Sequence, residues 1–474
     1  MVRADGSTVL GMGHLYRSLA CIRMLDPANE ITFVCREVTP EFEYEIKKLG
    51  YNIIPIEDEN EFLALCDPEK TVLMDGHHFP EALYQRVEAT GAAIVAIDDL
   101  HDKYLPVDVI INQAPGIRPH DYTAAPFTVF GLGPKYALLR GPFLEVAKKS
   151  RRIDRISTCF ICFGGGDQYD LTRRAAEIAS QYARLSRISI VTGSAYRFRE
   201  SLAAWARNDN RITIHHDIGD GEMAALMTAS DLAIVPCSTI LLEVFAAGCI
   251  PVAGCYVENQ KYFYRNFLDL NAFIDAKDLS GSAIRSALDE AFGLSDPLPR
   301  IIDGNSGYRI RKLFQLLENL KKIRLRPAMD TDVDITYRWA SDPLVRQYSF
   351  TKSVIGHDEH QSWFFRKIED PLCVYYIAEN EDGMIGSIRF DVTGSTAVIS
   401  YLIDPAYHGK GLGQILLIKG GKTFISSFVE KDQPFEITGY VTKDNRASQV
   451  IFERSGFARE DQGDRYKYTT LLNR

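Results

Sequence analysis

Twice along this chain, short β-branched runs alternate with amphipathic helical stretches, and near residue 321 that order gives way to another. Such alternation leaves few folds open, because a parallel strand needs a crossover, usually a helix, before its neighbour can pair with it. From residue 1 to about 145 the runs are 31–35, 72–75, 93–98 and 109–112, with helical stretches such as 39–49 and 79–89 between some of them. The pattern predicts a parallel sheet wrapped by helices. A second unit repeats it. Strand 156–163 leads into the turn Gly164-Gly165-Gly166-Asp167 and helix 171–184, and strands 188–191, 212–214, 232–235 and 250–253 follow. An amphipathic helix near 306–320 closes that unit. The basic segment Lys148-Lys149-Ser150-Arg151-Arg152 between the two reads as an exposed connector. The third unit has strand 323–326, helices 331–341 and 357–369, strands 373–379, 384–392 and 397–403, helix 413–428, strand 436–441, helix 446–455 and a last strand at 466–471. The turn Asn380-Glu381-Asp382-Gly383 makes two of its strands a hairpin. The expectation is an α/β protein: two doubly wound, Rossmann-like units at 1–145 and 153–320, then an α+β domain at 322–474. Ligands of such open sheets bind beyond the carboxyl ends of the strands, here in a cleft between the first two units.

The bulk numbers agree. A length of 474 residues suits about three domains. Hydrophobic content of 46% and charged content of 25% are globular values. The net charge of −9 argues against a general nucleic-acid binder. No apolar run reaches about 18 residues, so no membrane-spanning helix is expected. No signal-peptide pattern precedes Arg3, so the expected compartment is the cytoplasm. The nine cysteines read as reduced, mostly buried thiols. Cys159 and Cys162 form a C-x-x-C, but inside an apolar strand, where a redox or zinc role lacks its turn and further ligands. The tandem pairs His77-His78 and His215-His216 make no metal cluster, since neighbours in a strand point to opposite faces. No metal is expected.

Chemistry concentrates at three places. The first is Gly11-Met12-Gly13-His14, a glycine turn that opens a helix. Leu15, Leu19, Ile22 and Leu25 recur there at spacings of three and four. His14 then lies in the first turn, beside unpaired N–H groups and the positive end of the dipole. That place favours phosphate and disfavours imidazolium, so a neutral ring can accept a proton.

The second is Tyr407-His408-Gly409-Lys410-Gly411-Leu412-Gly413, between strand 397–403 and the next helix. Successive free N–H groups at such a turn form a nest for pyrophosphate. About thirty residues on come Asn445-Arg446-Ala447-Ser448 and then Phe452, Gly456 and Phe457. The pair of segments, in this order, resembles the coenzyme A site of the GNAT N-acetyltransferases, over about 322–474. The resemblance implies acetyl-CoA as acyl donor, held by Leu402, Ile403, His408, Gly409, Lys410, Gly411, Leu412, Gly413, Asn445, Ser448 and Phe452. It also implies direct attack of an amine on the thioester, with catalysis mainly by positioning and proton transfer. Two departures stand out. His408 replaces the Gln or Arg that normally precedes the glycine loop. Phe452 stands where many members carry a tyrosine acid, which leaves Tyr440, Tyr466 or water as proton donors. Strand 397–403 offers no carboxylate base. His360 and Trp363 are candidate acceptor contacts, with helix packing the more ordinary role for Trp363.

The third is the opening as a whole. Arg3-Ala4-Asp5-Gly6-Ser7, followed by the Gly-x-Gly-His-x-x-Arg that ends at Arg17, resembles the UDP-sugar hydrolase of pseudaminic acid biosynthesis. Residues 1–320 resemble the two-lobed glycosyltransferase B architecture. The resemblance implies His14 as catalytic base. It implies UDP-sugar contacts at Gly13, Arg17, Gly164, Gly165, Gly166, Asp167, Ser238, Thr239, Glu243, Asn259 and Gln260. The roles suit the residue types. Ser238 and Thr239 can cap a helix aimed at a diphosphate, Glu243 can accept from ribose hydroxyls, and the glycines leave room for the pyrophosphate. Related chains have several more residues before the Arg, so either a clipped first strand or a misassigned start codon is expected. They more often carry an aromatic near Asp75-Gly76-His77, a strand end facing the predicted cleft. The implied reaction is inverting and metal-independent: His14 takes a proton from water, which attacks the anomeric carbon opposite the departing UDP. In that route a UDP-4-amino-4,6-dideoxy sugar is N-acetylated, and the product, UDP-2,4-diacetamido-2,4,6-trideoxy-β-L-altropyranose, then loses UDP. One chain would join two consecutive steps, with a UDP-activated amino sugar and acetyl-CoA as partners and neither nucleic acid nor membrane insertion. The competing expectation is a glycosyltransferase B enzyme whose acceptor replaces water, carrying a non-catalytic CoA-binding module.

Overall fold

The computed structural model describes residues 1–7, 11–429 and 433–472, and of Asn259 the backbone alone. Seven parallel strands make the first sheet, in the spatial order Asn52–Pro55, Thr32–Cys35, Val2–Ala4, Thr71–Asp75, Ala93–Ile97, Val109–Asn112 and Val129–Leu132. The chain winds from Val2–Ala4 toward one edge and then returns to build the other. Val2–Ala4 and Thr71–Asp75 pair directly, so the switch point lies between them, with Ala4 opposite Asp75. Central strands such as Val109–Asn112 are buried throughout, as a sheet covered by helices on both faces requires. Asn52–Pro55 and Val129–Leu132 extend the sheet beyond the runs singled out in sequence. The first is an edge strand with three of four residues exposed and therefore carries little apolar pattern.

The second sheet is also parallel, with six strands ordered Ile212–His216, Arg187–Thr192, Thr158–Cys162, Leu232–Pro236, Ile250–Gly254 and Ile274–Asp275. Its switch point falls between Thr158–Cys162 and Leu232–Pro236. The glycine turn at 164–166 and the Ser238 end of helix Thr239–Ala247 therefore lie at the same carboxyl edge. Close packing sets the turn: a Cβ on Gly193 would lie 2.5 Å from Gly165 Cα.

The third sheet has seven strands, ordered Arg324–Pro327, Cys373–Asn380, Gly383–Thr393, Thr396–Ile403, Phe435–Thr442, Arg465–Leu472 and Ala458–Asp461. All neighbours are antiparallel except Thr396–Ile403 and Phe435–Thr442. The chain is thus a mixed α/β protein with two Rossmann-like parallel sheets and a GNAT-like C-terminal domain. All nine cysteines are free thiols, and Cys159 and Cys162 are buried within their strand. Among the described residues, no helix is long and apolar enough to cross a membrane.

Helix Ser306–Lys322 does not pack as its place in the sequence suggests. It crosses back to the first unit, where Leu313 meets Gly131, Arg311 donates to Met24 O at 2.8 Å and Glu318 accepts from Thr71 Oγ1 at 3.0 Å. The C-terminal domain docks against the same surface. Lys419 Nζ donates to Leu320 O at 2.7 Å, Lys422 pairs with Asp108, and Phe127 packs against Phe457 and Gly421. A Cβ on Gly421 would lie 2.0 Å from the Phe127 ring. Gly421→Leu is therefore expected to undock the domain, destabilising the chain by about 1–3 kcal/mol, the usual cost of overpacking. Calorimetry should show a separate, earlier transition, and Phe127→Ala in the same chain should restore part of the loss.

Candidate functional site

The first-unit site is built by spacing on one helix. His14 and Arg17 are three residues apart on Gly13–Ile22, hence on one face. That face turns to the carboxyl ends of two strands. His14 Nδ1 lies 2.8 Å from Asp75 Oδ1. Arg17 donates to both oxygens of Asp75, through Nη2 at 2.6 Å and Nε at 3.0 Å, and through Nη1 to Asp99 Oδ2 at 2.5 Å. Ser18, one turn beyond His14, donates to Asp75 Oδ2 at 3.3 Å. His77 Nε2 lies 3.1 Å from Asp99 Oδ2, and the His14 and His77 rings meet edge to face at 4.6 Å between centroids. Asp75 ends its strand and Asp99 follows the next, so the sheet brings them together although 24 residues of chain separate them.

Asp75 is fully buried. Burial alone would raise its carboxyl, but the Arg17 charge, the Arg17 bonds and the His14 contact outweigh it and hold the group below the usual aspartate range. Asp99 is likewise held below that range, against its own burial, by Arg17 and His77. An ionised Asp75 fixes the His14 proton on Nδ1 and leaves Nε2 as the acceptor. Sequence reasoning found His14 and Arg17 but missed Asp75 and Asp99 as their partners. The signal was there: Asp75 ends an apolar strand run and Asp99 lies just beyond the end of the next.

The first half of the opening motif is scaffolding. Arg3 is buried between Asp5 at 2.7 Å and Glu59 at 2.6 Å, with its guanidinium over the Phe79 ring. Asp5 also accepts from Arg36 N at 2.6 Å and contacts His78 Nε2 at 3.0 Å. The tandem histidines thus diverge, His78 to Asp5 and His77 to Asp99. Among the described residues, no group of three or more His, Cys, Asp or Glu is placed to hold a metal ion.

In the second unit the expected contacts separate into two groups. Gly164, Gly165 and Gly166 face open space, Thr239 is exposed, and the Ser238 side chain makes no capping bond within the helix it begins. These groups remain available to a ligand. Asp167 does not face outward: its two oxygens accept from Leu171 N at 3.0 Å and Thr172 N at 2.7 Å, capping the next helix. Gln260 Oε1 accepts from Tyr256 N and ties its own loop. The Asn259 side chain lies outside the described residues. Glu243 is buried, and Arg140 of the first unit grips both its oxygens, at 2.6 and 2.7 Å. Burial raises the Glu243 carboxyl despite that partner. Arg140 also bonds Asp220 at 2.6 Å, so one side chain joins the two units. Sequence reasoning did not find Arg140, which has no motif around it.

The third site begins where two strands part. Thr396–Ile403 and Phe435–Thr442 pair from Thr396 and Glu436 as far as Ile399 and Gly439 and no further. Beyond them Leu402 and Ile403 stay paired with Gly383–Thr393 on one side only, and backbone groups of 400–403 open into a wedge. Phe452 sits at the parting point. It is buried, stacked on Tyr468 at 5.1 Å, and so close to Gly439 that a Cβ there would lie 2.3 Å from its ring. It holds the splay from beneath. Below the wedge the three glycines do different work. Gly409 and Gly411 both have φ +78°, where a side chain is strained, whereas a Cβ on Gly413 would lie 2.8 Å from Ile451 of the neighbouring helix. His408, Lys410 and both strained glycines are exposed, with Lys410 over the Tyr407 ring, while Leu412 is half-buried where helix Leu412–Phe428 starts. His408 Nε2 contacts Ile403 O at 3.0 Å, which braces the loop.

Asn445 caps its helix by accepting from Ser448 N at 3.1 Å. Ser448 Oγ in turn accepts from Tyr401 at 2.9 Å. Burial pushes the Tyr401 phenol up to about 12. Tyr401 is a phenol on the parting strand, and no motif in the sequence marks it. His360 is buried against Thr336 Oγ1 at 3.1 Å, so it is no open acceptor contact, and Trp363 is half-buried under the Arg389 guanidinium.

Comparison with known proteins bears on the third unit. Residues 322–458 match the family model described as the acetyltransferase (GNAT) domain. The whole chain is similar to an uncharacterized protein of Methanocaldococcus jannaschii, 24% identical over 500 residues, covering 99% of this chain and 98% of the other. A domain of known structure from the same organism is 21% identical and covers 32% of this chain and 99% of its own, with a TM-score of 0.28. Spermidine N-acetyltransferase from Vibrio cholerae, in complex with CoA and spermine, is 19% identical and covers 32% of this chain and 95% of its own, also with a TM-score of 0.28. The C-terminal part of the chain is therefore a GNAT acetyltransferase domain.

The buried aspartates set the acid stability. Asp75 and Asp99 titrate below the ordinary aspartate value of about 3.9, so the stability they contribute is complete above that value and is lost as pH falls toward their folded values. The share of the urea-unfolding free energy that these two groups contribute should be constant above about pH 5 and fall steeply below about pH 4, so the difference between wild type and Asp75→Asn should shrink on the acid side. Asp75→Asn should cost about 3–5 kcal/mol at neutral pH, because it breaks a buried ion pair, and should make the acid-side fall shallower.

Proposed function

We propose that the chain performs two consecutive steps on a nucleotide sugar: acetyl transfer from acetyl-CoA to a UDP-4-amino-4,6-dideoxy sugar, then hydrolytic release of UDP from the diacetamido product. The observation that carries the hydrolytic half is the His14–Asp75 contact at the switch point of the first sheet. Asp75 orients the ring and stabilises the imidazolium that forms, while Nε2 removes a proton from water. The oxygen of that water bonds to the anomeric carbon as the carbon–oxygen bond to UDP breaks, and the electron pair leaves on the diphosphate. Across a glycosyltransferase B cleft, the Gly164–Gly166 turn and the Ser238–Thr239 helix end would meet that charge with N–H groups. Glu243 can serve the ribose without releasing Arg140, because each carboxylate oxygen that accepts one bond keeps a second lone pair.

The acetyl-transfer half rests on the wedge. N–H groups of the parted strand can polarise a thioester carbonyl, and the nest at 409–413 suits a pyrophosphate. The amine nitrogen bonds to the acetyl carbon as the carbon–sulfur bond breaks, the nitrogen gives up a proton to water, and the Tyr401 hydroxyl is the candidate donor to the departing thiolate. A phenol raised by burial stays protonated at neutral pH, as a donor must.

The test uses the full chain with acetyl-CoA and a panel of UDP-4-amino sugars, read by mass spectrometry, with UDP and free reducing sugar assayed without any acceptor. Addition of one acetyl group followed by UDP release is expected. His14→Ala should still acetylate but accumulate the acetylated UDP-sugar, with UDP release lowered by about 10²–10⁴-fold. UDP release at the normal rate in that variant would remove the base assignment. Release only on addition of a sugar or lipid acceptor would instead make the first two units a glycosyltransferase.

A further inference from the structure

Where the carboxyl edges of the two parallel sheets meet, His101, Tyr262 and Asn266 form a contact that the hydrolytic steps above leave unused. His101 lies two residues beyond Asp99, in the loop that follows strand Ala93–Ile97. Tyr262 and Asn266 are four residues apart on helix Lys261–Leu268, hence on one face of it. The His101 and Tyr262 rings meet between the two units, 5.3 Å between centroids. Burial raises the Tyr262 phenol, the Asn266 amide opposes the rise, and the charges of Asp121, Asp99 and Asp98 add to it. The tyrosine therefore stands beside the loop that carries Asp99. His101 is firmly placed. Its backbone N–H donates to Asp98 Oδ2 at 2.7 Å, and its ring meets the buried Tyr122 edge to face at 5.7 Å.

The polar atoms of this contact are unanswered. Five buried side-chain nitrogen and oxygen atoms lack a hydrogen-bond partner among the described residues, and two of them, His101 Nδ1 and Asn266 Nδ2, belong here. The Asn266 amide lies near the Tyr262 hydroxyl, but not in hydrogen-bonding geometry with it. A buried polar atom without a partner keeps the whole cost of leaving water, and a ligand that supplies the missing bond recovers it. The chemistry of that ligand follows from the two atoms. Asn266 Nδ2 only donates, so its partner is an acceptor. His101 Nδ1 accepts when the ring proton is on Nε2. A secondary amide offers both at once, a carbonyl oxygen to Asn266 and an N–H to His101. The methyl group of an acetamido substituent has the Tyr262 and Tyr122 rings for apolar surface. An ammonium group brings donors only and leaves Asn266 unanswered.

We propose that His101 and Asn266 bind an N-acetyl group of the sugar and so make the hydrolytic site selective for acetylated substrate. The proposal rests on the hydrolytic reading above and adds its substrate selectivity: the step at His14 favours what has already been acetylated. The two side chains belong to different units, so a slight parting of the units admits the substituent between them.

The test compares kcat/KM for UDP release by the full chain from pairs of UDP-amino sugars that differ by one acetyl group, on the C4 nitrogen in one pair and on the C2 nitrogen in the other. Wild type should prefer the acetylated member by roughly 10-fold or more in at least one pair, and that pair tells which nitrogen is read. Asn266→Leu should abolish the preference, mainly by raising KM for the acetylated sugar. It should not lower the Tm of the free chain, because it removes a polar atom that has no partner. His101→Phe should abolish the preference as well, which keeps the test decisive if one variant folds poorly. An equal loss for both members of each pair would make the contact one of packing or of hydroxyl binding and overturn the proposal. So would a preference that neither variant changes, or none in wild type. If the wild type releases no UDP from any of these sugars, the hydrolytic reading has failed by itself. Calorimetric binding of the same pairs then decides the acetyl-group claim. A preference for the acetylated sugar that Asn266→Leu removes would uphold it, and equal affinity or no binding would overturn it.

Discussion

Arg17 is the side chain on which the first-unit site depends. A parallel sheet buries the carboxyl ends of its central strands, and here two of those ends present aspartates. A fully buried carboxyl with no cation beside it takes up a proton and stays neutral. Neutral Asp75 could no longer hold the His14 N–H as an ionised acceptor. Arg17 prevents this by gripping both oxygens of Asp75 and one of Asp99 through three separate nitrogens, a planar fork that a lysine's single nitrogen does not offer. Its reach follows from its position. Three residues beyond His14 on the same helix, it approaches the strand ends from the side on which the imidazole stands. The Gly-His-x-x-Arg spacing is thus a geometric requirement, and the charge balance of the whole cluster follows from it.

The acetyltransferase domain relies on a different constraint, the absence of side chains at chosen places. The strands part after Gly439, where the ring of Phe452 packs on the backbone so closely that only a glycine fits. The wedge needs a rigid support, since backbone donors left unpaired by the splay act only if the strands cannot close again. Stacking of Phe452 on Tyr468 provides that support. A tyrosine at 452 would place its hydroxyl near the Gly439 backbone, because the Cζ atom that would bear it is the ring atom nearest that glycine. The residue that departs from the family pattern is thus part of what shapes the cleft, and Tyr401 supplies a phenol on the parting strand itself.

Much of this architecture was legible from residue pattern. The alternating runs announced both parallel sheets, and the changed order after residue 321 announced the third. What stayed hidden has physical causes. Asn52–Pro55 and the exposed Ala458–Asp461 are edge strands without a buried face, so no apolar alternation marks them. Helix Ser306–Lys322 shows its amphipathic face in sequence but not the partner of that face. At the sites, local spacing revealed His14, Arg17 and the glycine loops. Asp75, Asp99 and Arg140 act across 58, 82 and 103 residues of chain, where only the topology brings the partners together. Asp167 shows the reverse failure. An aspartate after three glycines reads as part of a ligand loop, yet the nearest unpaired N–H groups belong to its own following helix.

The docking of the third unit bears on why two activities would share a chain. A flexible tether raises the local concentration of an intermediate only when release is faster than diffusion away, and it fixes no orientation. Here the helix that begins at the glycine loop is also the helix that meets the first unit, through Lys419, Gly421 and Lys422. Its first turn faces the proposed pyrophosphate nest, while its middle meets helix Ser306–Lys322 and Asp108 and Phe127 of the first unit. The two sites therefore keep a fixed separation and a fixed mutual orientation while the ring of Phe127 stays against Gly421. Such rigidity does not by itself pass an intermediate from one site to the other. It does mean that any advantage of the fusion must come from geometry set by this contact, since no flexible linker intervenes between helix Ser306–Lys322 and strand Arg324–Pro327.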